Sequence, residues 1–556
     1  MIATLIIWLY TVILMYLYGL AAINGLRHIL HINEGDEINF PLALLIGLMV
    51  LTVSASILNI FIPLGIVSAG ILLAGGLLIL FSRRSLIPVN FNYRTYHPLT
   101  WILLASIFLT VLENATHVPS SSDTALYHAQ TIRWFETYHT VPGLGNLHHR
   151  FAFNSSWLLL NAAFSFAFLE IRSFHLMSGV LFLSAALFFA EGVEALIQKN
   201  LSVSIFIKIL FLPLSFYLLG SDISSPATDM PVTLLTWVIL ILWAEELEAQ
   251  SRVGLRSIGI FLLSVFAVTI KLSAIPLLFF AIFVLIAYFI EAGWQRALKL
   301  GAAGLFVLIP WVIRSVILSG YLVFPVSQID LFSVDWKVPI DQVETIRNAI
   351  FSFARFPGKD WQSSIGMTTA EWVPLWFDKQ TINQRGVFML AAFSPLILLI
   401  VRYKYPSMVP SRYVFSCFVL YAGAIFWFFS APDIRFGYGF LVGICGLVLS
   451  PLFVDLISRS DKNLKLIPYI VFLVLVLYQG YTFGQSFDPR TLGQRLLLPA
   501  DYSRSRAQVC AIDNGSVYCR MEGTQCNYDI FPCIPSPRPN VEMRGPTFQD
   551  GFRTVR

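Results

Sequence analysis

The chain has 556 residues, of which 57% are hydrophobic and 12% are charged. A soluble domain carries about 25% charged residues, so most of this surface does not face water. The net charge of +5 is scattered between apolar runs and gives no nucleic-acid signal.

Apolar stretches long enough to cross the bilayer recur from the first residues to about position 483. The expected spans lie near 2–24, 41–60, 63–82, 98–113, 174–194, 203–219, 231–248, 256–271, 273–291, 299–317, 386–402, 413–430, 436–457 and 466–483. This predicts an all-α polytopic membrane protein of about fourteen transmembrane helices. Met1 to Asn24 lacks a positive n-region and a small-residue cleavage site, and reads as a retained span. The domain reading is a three-span N-terminal extension over 1–97, a core over 98–483 and a polar tail over 484–556.

Sidedness follows from the short loops, where Lys and Arg prefer the cytoplasm. The groups are Arg83, Arg84 and Arg94; Lys199 and Lys208; Arg252 and Arg256; Arg296 and Lys299; Arg402, Lys404 and Arg412; and Arg459, Lys462 and Lys465. All fall on one side if the segment 155–170 does not cross, and that segment reads as an interfacial helix on the outer surface. Four regions then face outward: 114–173, 219–230, 318–385 and the tail.

Cys417 and Cys445 sit in apolar runs and read as core side chains. Cys510, Cys519, Cys526 and Cys533 crowd into the tail, where three pairings are open. They lack a CxxC pair, so disulfides are expected ahead of zinc if the tail lies outside.

In the first outward loop, Asp123, Tyr127 and His128 share a helix face, with Ser121 or Ser122 as cap. Asp222 and Asp229 occupy the next, Asp229 at a helix start. Lys271, Arg314 and Arg435 are cations at outer span boundaries, where an ionisable group costs roughly 2–3 kcal/mol. Three cations at one membrane face would suit a phosphate at headgroup level. Asp433 can pair with Arg435 or cap its helix. His128, His139, His148 and His149 show no HxH or HExxH spacing, so no cofactor is required and a divalent metal is the disfavoured alternative. Trp336, Trp361, Trp372 and Trp376 offer aromatic surface for a sugar ring or the membrane interface.

Together SSDTALYH, NSSWLLLNAAFSF and SSPATDMPV, with the long loop at 318–385, resemble the GT-C glycosyltransferases over roughly 98–483. That superfamily takes in the protein O-mannosyltransferases, the aminoarabinose transferase of lipid A and their bacterial relatives, and this chain most resembles uncharacterised bacterial members of it. This chain carries a single first-loop Asp where many relatives carry paired acids. The resemblance implies a GT-C-like core with interfacial helices in the first outer loop, in a bacterial inner membrane with the site facing the periplasm. It implies inverting transfer of a sugar from a polyprenyl-phosphate-linked donor to a glycan, lipid or protein acceptor. Asp123 would be the base, its pKa raised by a partly dry site, with Asp229 in support. Tyr127, His128 and Asp222 would contact the substrates, and Lys271, Arg314 or Arg435 the leaving phosphate. The competing expectations are an O-antigen-type polymerase or ligase and a transporter or flippase of lipid-linked glycans; the latter usually shows related halves.

Overall fold

The structure is a computed structural model that describes residues 1–32, 39–82, 96–249, 253–356, 361–459, 466–512, 515–521, 525–538 and 540–555. Arg83, Arg84, Arg94, Arg252, Lys462 and Lys465, used above for sidedness, lie outside the described residues.

The chain opens with α1 (Ile2–Leu30), α2 (Phe40–Phe61), α3 (Ile66–Phe81) and α4 (Pro98–Ala115). Where α1 crosses α2, Gly19 and Gly47 press against the backbone at Ala43 and Met15, leaving no room for a Cβ on either glycine. Small residues at such a crossing let two membrane helices approach backbone to backbone. The first long loop then folds into α5 (Ala129–Thr137), α6 (Leu144–Leu147) and α7 (Ser156–Ala163). Next come α8 (Met177–Ile197), α9 (Val203–Leu219), α10 (Asp229–Ala249), α11 (Leu255–Ile270), α12 (Leu278–Ala292) and α13 (Trp294–Ser319). A second long loop holds α14 (Ile340–Arg355) and α15 (Thr369–Lys379). Then α16 (Ile382–Lys404), α17 (Ser411–Ser430), α18 (Ile434–Ser458), α19 (Ile467–Ser486) and the short α20 (Pro489–Arg495) follow.

Twelve helices among the described residues are long and apolar enough to cross a membrane. The two expected spans outside that set are α3 and α11, each 16 residues long. At 1.5 Å per residue such a helix reaches about 24 Å, short of the roughly 30 Å hydrocarbon layer. α11 stops because Lys271 is extended, and the chain turns at once through a 3-10 segment, Leu272–Leu277, into α12. Lys271 therefore sits at the tip of a helical hairpin and not inside a helix.

The expected interfacial helix takes a different place. α7 has eight residues, about 12 Å, too short to cross. All eight are buried, so it is enclosed by protein instead of lying on a surface. The reason is in SWLLLNAA, which lacks the charged face an interfacial helix presents to headgroups. Ser156 Oγ lies 2.8 Å from Thr269 Oγ1, Ser155 Oγ donates to the Ile270 carbonyl at 2.8 Å, and Asn154 donates to the Trp311 carbonyl at 2.7 Å. These bonds fasten the first long loop to α11 and α13.

The tail adds five short strands to the helical membrane part. β1 (Ala507–Ile512) pairs antiparallel with β2 (Gly515–Arg520), which pairs in parallel with β3 (Cys533–Ile534). β4 (Val541–Met543) and β5 (Phe552–Thr554) form a second antiparallel pair. The tail cysteines form disulfides, Cys510 with Cys519 and Cys526 with Cys533. Cys417 is buried and Cys445 partly so, both free, as expected of core side chains.

The first long loop, the second long loop and the tail pack against one another. Trp134 of α5 meets Phe531, Phe548 and Phe552 of the tail at ring separations of 4.9, 5.9 and 5.9 Å. Arg544 of the tail pairs with Asp335 of the second long loop at 2.8 Å.

Candidate functional site

The first element is a widened helical turn. Thr124–His128 forms a π turn ahead of α5, closed by the Ala129 N–H on the Thr124 carbonyl. An i→i+5 turn brings residue 128 over residue 123, and such turns are frequent at functional sites. Asp123 sits at its start with helical dihedrals. Its position is set from the neighbouring loop: the Ser225 hydroxyl accepts from the backbone N–H groups of Ser120 and Ser121 at 3.0 and 3.2 Å. Ser120 in turn donates to the Ser221 carbonyl at 3.1 Å. Ser225 is four residues before Asp229, the first residue of α10, so these bonds draw the two acid-bearing loops together.

Arg435 is the hub. Its Nη2 lies 3.1 Å from Asp123 Oδ2, and its Nε lies 3.1 Å from Asp433 Oδ2 and 3.7 Å from Asp229 Oδ2. Asp433 also caps α18, accepting from the Arg435 backbone N–H at 3.3 Å. Lys271 pairs with the other oxygen of Asp229 and stands 3.5 Å from the Phe436 ring centroid. Arg150 Nη1 approaches Asp123 Oδ1 at 3.3 Å, with its guanidinium over the Tyr127 ring. Asp222, in the 3-10 turn Gly220–Ser224, adds its charge to Asp229 and Asp123 without a direct ion pair among those described. Asp123 is 24% exposed and Arg435 35%, so the hub is only partly covered by the protein.

Four carboxylates, Asp123, Asp222, Asp229 and Asp433, thus face three cations, Arg150, Lys271 and Arg435. The expected set of free cations waiting for a phosphate is instead a cluster in which each cation is already paired with a carboxylate. Burial alone would lift the Asp123 carboxyl, but His128, Arg435, Arg150 and Lys271 outweigh it and hold it below its ordinary range. The raised pKa expected for a base is therefore absent in this arrangement, because the cations are in direct contact. Burial pushes the Tyr127 phenol well up, with Asp123 adding to it, so Tyr127 is a proton donor at neutral pH.

His128 is buried, its Nδ1 3.3 Å from Thr124 Oγ1 and its Nε2 without a partner among the described residues. Burial lowers its pKa to about 4 against an ordinary 6.5. It is neutral at pH 7, where the permanent cations carry the effect on Asp123. A pKa depressed by folding stabilises the protein above pH 6.5 and stops doing so as pH falls toward 4. Thermal unfolding in lipid is expected to move to lower temperature over that interval. His128→Gln removes its share of the decline and leaves those of His149, whose pKa burial also lowers to about 4, and of His148, which burial holds well below 6.5. Equal slopes in the two proteins would refute the assignment.

Arg314 is not part of the cluster. It is fully buried on α13, where it donates to Asn59 Oδ1 of α2 at 2.6 Å and to the Thr140 hydroxyl, and stacks 4.7 Å over Phe135. It bolts α2, α13 and the first loop together. Trp372 and Trp376 are buried too, and offer no open surface. Trp376 Nε1 donates to the Pro432 carbonyl at 2.6 Å, which lets α15 hold the turn that presents Asp433 and Arg435. Arg150 and the pairing of Asp433 into the hub complete the constellation. Among the described residues, no group of three or more His, Cys, Asp or Glu is placed to hold a metal ion.

Fold and site define a polytopic helical membrane protein with an ion-pair hub on its loop-bearing face. A family model described as a domain of unknown function, DUF8201, matches residues 1–442, and the chain belongs to that family. The matched region contains every hub residue from Asp123 to Arg435 and ends before the cystine-bearing tail. No curated protein matches the chain.

Proposed function

We propose that the protein is a membrane glycosyltransferase that moves a sugar from a polyprenyl-phosphate donor to an acceptor hydroxyl on the non-cytoplasmic face, inverting the anomeric carbon. The observation that carries this reading is Asp123 held between Arg150 and Arg435 at an open, membrane-bounded face. Such a transfer needs a base for the acceptor hydroxyl and cations for the leaving phosphate, and the hub contains both residue types. The two disulfides and the short basic loops on the opposite side support a location in a bacterial inner membrane with the site facing the periplasm.

In this reading the acceptor O–H gives its proton to Asp123 as its oxygen attacks the anomeric carbon. The bond from that carbon to the phosphate oxygen breaks on the opposite side, and the electron pair leaves with the lipid phosphate. Arg435 and Arg150 take up that charge, which requires the phosphate to replace Asp123 on the guanidinium groups. Asp229, anchored by Lys271, orients the acceptor. Tyr127 donates to a sugar or phosphate oxygen.

The test is to reconstitute the purified protein in lipid and supply labelled polyprenyl-phosphate sugars with a crude glycan and lipid acceptor fraction. Release of polyprenyl phosphate coupled to labelling of an acceptor supports the proposal. Absence of both turnover and saturable donor binding, with the protein folded, defeats it.

A further inference from the structure

We infer that the disulfide ring Cys526–Cys533 is a positioning element of the site, and that Gln130 is the residue through which it acts. This inference rests on Asp123 being the working carboxylate of the proposed transferase. Almost every polar bond the tail makes to the segment bearing Asp123 and His128 comes from this ring. The Asn527 N–H donates to the Ala125 carbonyl at 2.8 Å, inside the π turn and two residues beyond Asp123. Gln130 is completely buried and spends its whole side chain on the ring. Its amide donates to the Asn527 and Ile530 carbonyls at 2.9 and 2.8 Å, and its oxygen accepts from the Cys533 N–H at 2.9 Å. One turn on, Arg133 donates to the Asp529 carbonyl at 3.1 Å and lies 5.0 Å from the ring centroids of both Tyr528 and Phe531. Tyr528 donates to Glu136 at 2.6 Å.

Apart from the Tyr528 hydroxyl, these bonds use main-chain groups of 527, 529, 530 and 533, so they require the ring backbone to keep one shape. An open chain would have to be ordered residue by residue against its conformational entropy, whereas the disulfide removes part of that cost beforehand. The other disulfide, Cys510–Cys519, ties β1 to β2, and neither cysteine bonds to residues 122–137. The two cystines therefore do different work: one closes a hairpin, the other shapes a clamp on the helix that aims Asp123. Both Cys526 and Cys533 are fully buried, so the ring acts as a permanent fixture and not as a reversible switch.

The test compares three proteins in lipid: Cys526→Ser with Cys533→Ser, Cys510→Ser with Cys519→Ser, and Gln130→Met, which keeps the volume and the ring but removes the three bonds. Two readouts are used, hydrogen exchange of residues 122–137 and donor turnover. Opening the ring and Gln130→Met are each expected to speed exchange in that segment and to lower kcat by about ten- to a hundredfold, with donor KM little changed. The Cys510, Cys519 double variant is expected to match wild type in both. Exchange at wild-type rates in both the ring-opened and the Gln130→Met proteins overturns the inference, as does an equal effect from the control pair. The exchange readout needs no activity. Faster exchange in a protein whose wild type turns over no donor would fault the transferase reading and leave the clamp standing.

Discussion

Asp123→Asn is expected to lower sugar transfer by about 10²–10⁴-fold, the usual contribution of a positioned general base. The substitution keeps the shape of the side chain and an oxygen that accepts from Arg435 or Arg150, so donor binding should persist. What it removes is the group to which the proposed mechanism assigns the acceptor proton. Two controls follow from the geometry. Asp229→Asn loosens Lys271 and one arm of Arg435 but leaves Asp123 in place, so its effect should be smaller and felt more in acceptor KM. Asp433→Ala removes the α18 cap and should cost stability in lipid before it costs kcat. The measurement is single-turnover transfer at saturating donor. If Asp123→Asn turns over within threefold of wild type, Asp123 is not the base, and the role passes to Asp229.

The membrane architecture was legible because its signal is local: an apolar run of sufficient length needs no partner to be recognised. The same holds for Asp123 and Asp229 at helix starts, and for Lys271, which interrupts an apolar stretch and turned out to break it. Pairing across the chain was not legible. Arg435 and Asp123 are 312 residues apart, and Asp123 meets Arg150 only because a 3-10 turn, His149–Phe153, folds back over the π turn. Depth in the membrane flags a cation as costly but does not say what satisfies it. Arg314 and Arg435 looked alike by that measure, yet one is held through a single nitrogen by Asn59 and Thr140 as a bolt between helices and the other gathers three carboxylates. The four tail cysteines left three pairings open, since connectivity depends on strand register. The tryptophans of the second long loop were ambiguous for a similar reason: an aromatic residue reads the same whether it faces a sugar or a helix.

Arg435→Gln is expected to have the second large effect, and it tests the exchange of partners that the ion-paired hub demands of the proposed reaction. The substitution takes away the group that would receive the leaving phosphate, so kcat/KM for the donor should fall by about 10²–10³-fold, the scale for losing one charge-stabilising donor. Arg435→Lys should recover only part of this, because an ammonium cannot bridge Asp123, Asp433 and Asp229 as a planar guanidinium does. The same exchange has a pH signature in the wild-type protein. In the free protein, Arg435 and Arg150 help hold the Asp123 carboxyl below its ordinary range, so it stays ionised, and kcat/KM, which reports the free protein, should fall only at strongly acid pH. Once donor phosphate occupies the guanidinium groups, Asp123 loses those partners and gains an anionic neighbour, and its pKa rises. The acid limb of kcat, which reports the substrate complex, should therefore lie at higher pH than the acid limb of kcat/KM. In Arg435→Gln the kcat/KM limb should itself move upward, since one of the cations holding Asp123 down is gone. Coincident acid limbs in the wild type would mean that Asp123 keeps its partners throughout turnover. The phosphate would then have to be held by groups outside this hub.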